Sequence, residues 1–194
     1  SLLTLSITSC EKDLLEKEQY QKEIYLIGAY NRVWTTEVSY SNEEVKTYFT
    51  VSSSGTLALD RDVNVKMKIN EELVDIYNKK YWTVLNEDKY YKSLDTDLYS
   101  IPSLENTVIK HAEGISAEVP VLIKTASLKI DQSYVIPVEI ESTTGYPISE
   151  SGYKMLILLK LKNDYSGSYQ MSGHTTLELS LIHISEPTRR SYIS

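Results

Sequence analysis

The 194 residues hold one cysteine, one phenylalanine, two tryptophans, five prolines and seven glycines. A single thiol excludes a disulfide framework within the chain and any cysteine-rich zinc site. So little Gly and Pro excludes collagen-like and low-complexity architectures. No run approaches the roughly 18 consecutive apolar residues of a membrane-spanning helix. Positive charge is short as well. Twenty Lys and Arg against 27 Asp and Glu leave a net charge of −7, which argues against nucleic acid as a partner, because phosphate contacts need a basic surface. What the chain has in quantity is tyrosine, 16 residues of it. An aromatic body with a polar tip suits half-wet β-sheet surfaces. With 24% charged and 41% hydrophobic residues, the composition is that of an acidic, β-rich chain long enough to bury a core.

The first ten residues are apolar or small and stop abruptly at Glu11, Lys12 and Asp13. A secretory signal has an apolar stretch followed by a small-residue cleavage site. The tetrad Ile7-Thr8-Ser9-Cys10 resembles a bacterial lipoprotein signal, in which small side chains fit the peptidase and the freed cysteine receives the lipid. The alternative for Cys10 is a buried free thiol in a short core strand. The expectation is a signal peptide clipped at its start (residues 1–9), then lipidated Cys10 and a charged tether over residues 10–22. This anchor implies a membrane partner and an outer-membrane location. Glu11 and Asp13 loosely resemble the acidic signal that sends Bacteroidetes lipoproteins to the outer face. At the other end, residues 180–194 break the preceding pattern and resemble a translated sequencing adapter rather than native chain.

Between the ends the strand signal is persistent. Val65, Met67 and Ile69 alternate with Asn64, Lys66, Lys68 and Asn70, which predicts a half-buried strand. Residues 24–30, 33–40, 45–51, 119–124, 134–141 and 153–162 supply further strands, with Gly55, Gly114, Gly145 and Gly152 at the turns between. Pro137 inside one run predicts an edge strand or a bulge there. One segment differs: Asn70 is a candidate N-cap, Glu71 and Glu72 open the first turn, Leu73, Ile76 and Tyr77 share a face, and Lys79 and Lys80 close the end. The fold class expected is mainly β, a sandwich with one short helix near residues 71–79.

The order of a strand at Val63–Ile69, the helix Glu71-Glu-Leu-Val-Asp-Ile-Tyr-Asn78, the stretch Tyr81-Trp-Thr-Val-Leu85 and the strand Tyr134-Val-Ile-Pro-Val-Glu-Ile-Glu141 resembles the N-terminal domain of unknown function of Bacteroidetes surface lipoproteins from polysaccharide-utilisation loci. The resemblance covers residues 24–163 and departs where the usual Leu-Pro after the helix is Leu85-Asn86. It implies an immunoglobulin-like sandwich over residues 23–163, placed ahead of a β, carbohydrate-binding or chitinase-like glycosidase module. Residues 164–179 resemble the first strand of a second β domain. The implied function is a non-catalytic module that presents or assists a glycan-binding domain, with a glycan ligand and an outer-membrane glycan transporter complex as partners. A spacer ahead of an endo-acting glycoside hydrolase, and an adhesion module without sugar affinity, are alternatives that share the same sandwich.

Chemistry is sparse in the body. With Cys10 assigned to the anchor and residues 180–194 (with His183) set aside, His111 and His174 remain, and no Gly-x-Ser-x-Gly elbow occurs. Asp60, Asp62, Asn64 and Glu71 match four ligand positions of a calcium loop, yet the place that demands glycine is Val65, in an alternating strand. Asp95/Asp97, Glu43/Glu44 and Glu139/Glu141 pair carboxylates as glycosidases do, but with no sign of an apolar pocket they read as wet surface. No catalytic residue, metal ligand or cofactor is expected. The best ligand candidates are Trp82, Tyr90 and Tyr91 beside Asn86 and Asp88: sugar rings stack their C–H faces on aromatic rings, and amides and carboxylates bind the hydroxyls. The competing role for these aromatics is cross-strand pairing and core.

Overall fold

Alternating apolar and polar residues build most of the strands in the computed structural model, which describes residues 21–55, 57–82 and 84–162. Cys10, the second β domain expected at 164–179 and the tail at 180–194 lie outside the described residues. Ten strands and one helix follow in chain order: β1 Ile24–Leu26, β2 Val33–Ser39, β3 Glu44–Ser53, β4 Val63–Ile69, α1 Glu72–Tyr81, β5 Lys92–Ser93, β6 Tyr99–Ser100, β7 Thr107–Ile109, β8 Ser116–Lys124, β9 Tyr134–Thr143 and β10 Lys154–Lys162. The first sheet runs β1-β3-β8-β6; the second runs β2-β10-β9-β4-β7, with β5 beside β9. Two pairings are parallel, β2 with β10 and β5 with β9. The fold is mainly β, two sheets and a helix.

The sheets share one core. Phe49, Val51, Val119, Val121 and Ile123 from the first meet Val63, Val65, Met67, Ile136, Val138, Met155 and Ile157 from the second. Burying such side chains contributes about 1.5–3 kcal/mol each before chain entropy is set against it. At one edge the sheets are joined by a hydrogen bond of 2.6 Å between the hydroxyls of Thr36 on β2 and Thr47 on β3.

A smaller apolar cluster lies on the other face of the second sheet. Leu73 and Val74 of α1 pack on Val135 of β9 and Leu156 of β10, with Val33, Tyr77, Tyr91 and Leu158 around them. The helix begins as its sequence suggests: the Asn70 side-chain oxygen accepts the Glu72 N–H at 3.2 Å, and Glu71 already has helical angles. Its inward face differs from the expected one. Leu73, Val74 and Asn78 are buried, whereas Ile76 is 54% exposed. Asn78 turns inward because its amide clamps the backbone of Tyr91, donating to the carbonyl and accepting the N–H, both at 2.9 Å.

Two strand expectations are corrected. The run from Ile24 stops at Leu26, because Gly28 takes a left-handed φ of 90° and starts a 3-10 turn over Ala29–Asn31. A Cβ on Gly28 would lie 2.6 Å from the Trp34 ring, so only glycine fits. Pro137 sits in an interior strand rather than at an edge. It lies where the neighbour of β9 changes from β5, paired at Tyr134 and Val135, to β4, whose last pair is Ile69 with Val138. The missing N–H therefore falls at a break in the ladder. A bulge does occur on β9, but at Glu141, where the register shifts between Lys66 and Met67.

Candidate functional site

The turn, the helix and the β9–β10 connection converge on one cleft of about 230 Å³. Its three walls carry Tyr30 and Arg32, then Ile76, Lys80 and Tyr81, then Glu150 and Lys154. Tyr30 is 64% and Tyr81 48% exposed, so two large aromatic faces stand in solvent at the rim. Neither hangs on a loose segment. Buried Ala29 anchors the turn, Arg32 closes it by donating its N–H to the Ala29 carbonyl at 2.8 Å, and the Arg32 carbonyl accepts the Leu156 N–H at 2.8 Å. Arg32 pays for this with φ 63°, the one non-glycine left-handed residue among those described; such strain persists where the surroundings over-determine a conformation. Tyr81 is held by Tyr77, whose ring centroid is 4.4 Å away, and Tyr77 stacks on Tyr91 at 5.2 Å and 11°. Burial, with Tyr91 beside it, raises the Tyr77 phenol above its ordinary value.

None of the residues singled out from sequence lies in the lining of this cleft. Tyr91 is bound by the Asn78 clamp and its ring packs on Tyr77. Trp82 ends α1 in extended conformation, with Lys89 over its ring at 5.8 Å and its indole N–H buried without a partner among the described residues. Asn86 kinks the 3-10 turn over Val84–Lys89, Asp88 is exposed and Tyr90 half-buried. Tyr30, Arg32, Ile76, Tyr81 and Lys154 are not singled out as ligand contacts by sequence, since they come from three distant segments. The available signal was Gly28-Ala-Tyr-Asn-Arg32, a glycine turn displaying an aromatic and a cation.

Four of the candidate carboxylates are engaged elsewhere. Asp60 pairs with Arg61 and accepts the Tyr146 hydroxyl, both of which hold its carboxyl far below the usual range. Asp62 accepts the His111 backbone N–H at 3.0 Å and lies 2.6 Å from the imidazole Nδ1, so the calcium-loop carboxylates diverge to different partners. Glu139, half-buried, is held by Lys68 and the Asn70 amide, and exposed Glu141 by Lys66, so the two carboxylates are tied up along the strands rather than set as acid and base across a cleft.

Two family models match the chain. One, described as an N-terminal domain, spans residues 20–147; the other, described as a C-terminal domain, spans residues 153–191. The second opens at β10, an interior strand of the second sheet, so the two matched regions meet within one core. A Bacteroides ovatus protein of unknown function superposes with a TM-score of 0.63 at 18% identity, over 76% of this chain and 48% of its own. An auxiliary nutrient binding protein from Bacteroides thetaiotaomicron gives 0.57 at 18% identity, over 72% and 47%. EndoBT-3987 of the same species, solved with a Man5GlcNAc product, gives 0.51 at 20% identity, over 71% and 30%. The chain thus spans about half or less of the length of these structures, and the likeness is one of fold. No curated protein matches the chain.

Proposed function

We propose that the chain, which belongs to the family whose N-terminal domain model matches residues 20–147, is a non-catalytic, glycan-related module of a longer surface protein. In this reading the two sheets form an immunoglobulin-like sandwich, Cys10 carries the lipid anchor at the outer membrane, and a glycan transporter complex is the assembly it serves. The observation that carries the reading is the cleft, where Tyr30 and Tyr81 offer ring faces on fixed elements and Arg32, Lys80, Lys154 and Glu150 offer polar groups for hydroxyls. Aromatic faces with a few convergent polar groups are what a sugar site needs. The neighbour named for nutrient binding supports the reading, and the endoglycosidase neighbour supports its rival, a spacer ahead of a hydrolase. Trp82, Asn86, Asp88 and Tyr90 form a second contact in this proposal, reached from the cleft through the Tyr91–Tyr77 stack.

The arrangement also suits presentation. The nine residues of β10 run from Lys154 at the cleft to Lys162, roughly 26 Å along the strand. Lys162 therefore lies at the far end of the strand from the cleft. Calorimetric titration of the chain with a panel of oligosaccharides at millimolar concentration tests the reading. Binding of at least one saccharide is expected, lost in Tyr30→Ala and Tyr81→Ala. No binding across the panel, or binding indifferent to both substitutions, would favour the adhesion reading.

A further inference from the structure

The charges around the cleft are the reverse of those on the chain as a whole. The chain carries −7, yet the cleft brings together Arg32, Lys80 and Lys154 against the single carboxylate of Glu150. Elsewhere six cations are matched, Arg61 with Asp60, Lys66 with Glu141, Lys68 with Glu139, Lys110 with Glu113, and Lys160 and Lys162 with Glu37, while others such as Lys46 and Lys89 lie singly over aromatic rings. Among the described residues no carboxylate pairs with any of the three cleft cations. Lys80 and Lys154 instead lie over the Tyr81 and Tyr153 rings, at 5.5 and 4.9 Å from the centroids. Arg32 projects its exposed guanidinium from a backbone fixed at both ends, by its N–H to Ala29 and its carbonyl to Leu156. A planar guanidinium carried on an anchored backbone suits bidentate contact with a carboxylate or a sulfate.

Resting on the glycan reading above, the geometry points to a more specific ligand: the cleft takes a saccharide unit that carries an anionic substituent, a carboxylate or a sulfate ester. The sugar's C–H face lies against Tyr30 or Tyr81, its anionic group meets Arg32 with Lys154 or Lys80 nearby, and Glu150 accepts hydroxyl protons. The volume of about 230 Å³ suits one ring of a chain and not a long segment. A local positive field on an acidic protein draws such a chain in while the remaining surface repels it, which sets orientation as well as affinity.

The test is a titration of the full chain with matched pairs: trigalacturonate and its fully methyl-esterified form, and a sulfated galactan oligosaccharide and its desulfated form. The expected result is tighter binding of the charged member of at least one pair, weakened by added salt, since exposed charges are screened over about 8 Å at physiological ionic strength. Lys154→Gln and Arg32→Gln should each weaken the charged member about three- to fivefold and the uncharged one distinctly less, so that the preference within the pair shrinks. Retained uncharged binding also reports that each variant is folded. Which pair responds separates carboxylate from sulfate. Equal affinity within both pairs overturns the anionic preference and leaves the glycan reading standing; no binding by any of the four removes both. Sedimentation with phosphatidylserine vesicles in the absence of saccharide binding would overturn the proposal in favour of a lipid headgroup.

Discussion

The outer face of the second sheet has two halves built on opposite principles. Over β4 and the C-terminal part of β9 it is wet, and Lys66 meets Glu141 while Lys68 meets Glu139 across the strands. Over β10 and the start of β9 it is dry, because Leu73 and Val74 of α1 cover Val135 and Leu156. The inner face is the same core throughout. The sequences differ accordingly: β4 alternates as Val-Asn-Val-Lys-Met-Lys, whereas β10 reads Met-Leu-Ile-Leu-Leu without a break. A strand covered on one side shows period two, and a strand covered on both shows a continuous apolar run. The cleft lies at the margin of the dry half, where the covering helix stops short of the turn at Ala29–Asn31 and leaves Ile76, Tyr30 and Tyr81 at an open seam.

The largest expected effect comes from removing apolar volume under the helix. Leu156 is 2% exposed and belongs to the dry cluster. Leu156→Ala should cost about 3 kcal/mol, from lost transfer energy and the cavity left behind. Lys66→Ala on the wet half should leave the denaturation midpoint nearly unchanged, because exposed ion pairs contribute little. Urea denaturation of both variants measures the contrast. Comparable losses would mean that the two halves are not different in kind.

Asn78 joins the helix to the following segment, so its effect should be smaller but more local. Asn78→Ala strips both hydrogen bonds from the Tyr91 backbone and leaves a donor and an acceptor unpaired, about 2 kcal/mol for groups so placed. Hydrogen exchange should quicken at Tyr91 and through the Val84–Lys89 turn while β3 and β8 keep their protection. Uniform loss of protection would show that α1 and its turn unfold only with the whole domain.

How much of this could be read from the chain follows from the same two halves. β4 is legible in full, since its alternation names its buried residues. The ends of α1 are legible too, from Asn70 and from Lys79 and Lys80. Its inward face is not: periodicity gives weight to Ile76, and the residue that turns in is polar Asn78, for a hydrogen bond to a backbone thirteen residues on. Pro137 misleads for a related reason, because a change of neighbour along one strand leaves no local mark. β5, β6 and β7 have two or three residues each and carry no period to detect. The five residues chosen as sugar contacts fall outside the lining of the cleft. Aromatics close in sequence were legible, whereas Tyr30 and Tyr81 meet only because the turn, helix and β9–β10 connection converge.

The smallest effect separates the halves by pH. Lys66 donates to Glu141 and holds its carboxyl below the ordinary range; Lys162 does the same for Glu37. A carboxyl lowered by folding binds protons less readily in the native than in the unfolded chain. Its contribution is therefore complete above the unfolded value and is lost as pH falls through the folded one. Glu141→Gln should melt slightly below the parent at neutral pH, and the gap should close as pH falls from roughly 5 to 2. Leu156→Ala should hold its deficit across the same range, because the dry cluster contains no carboxylate. Melting curves of both variants at matched ionic strength compare charge with packing directly. A Glu141→Gln deficit as flat with pH as that of Leu156→Ala would mean that Glu141 contributes by covering the sheet rather than by its charge.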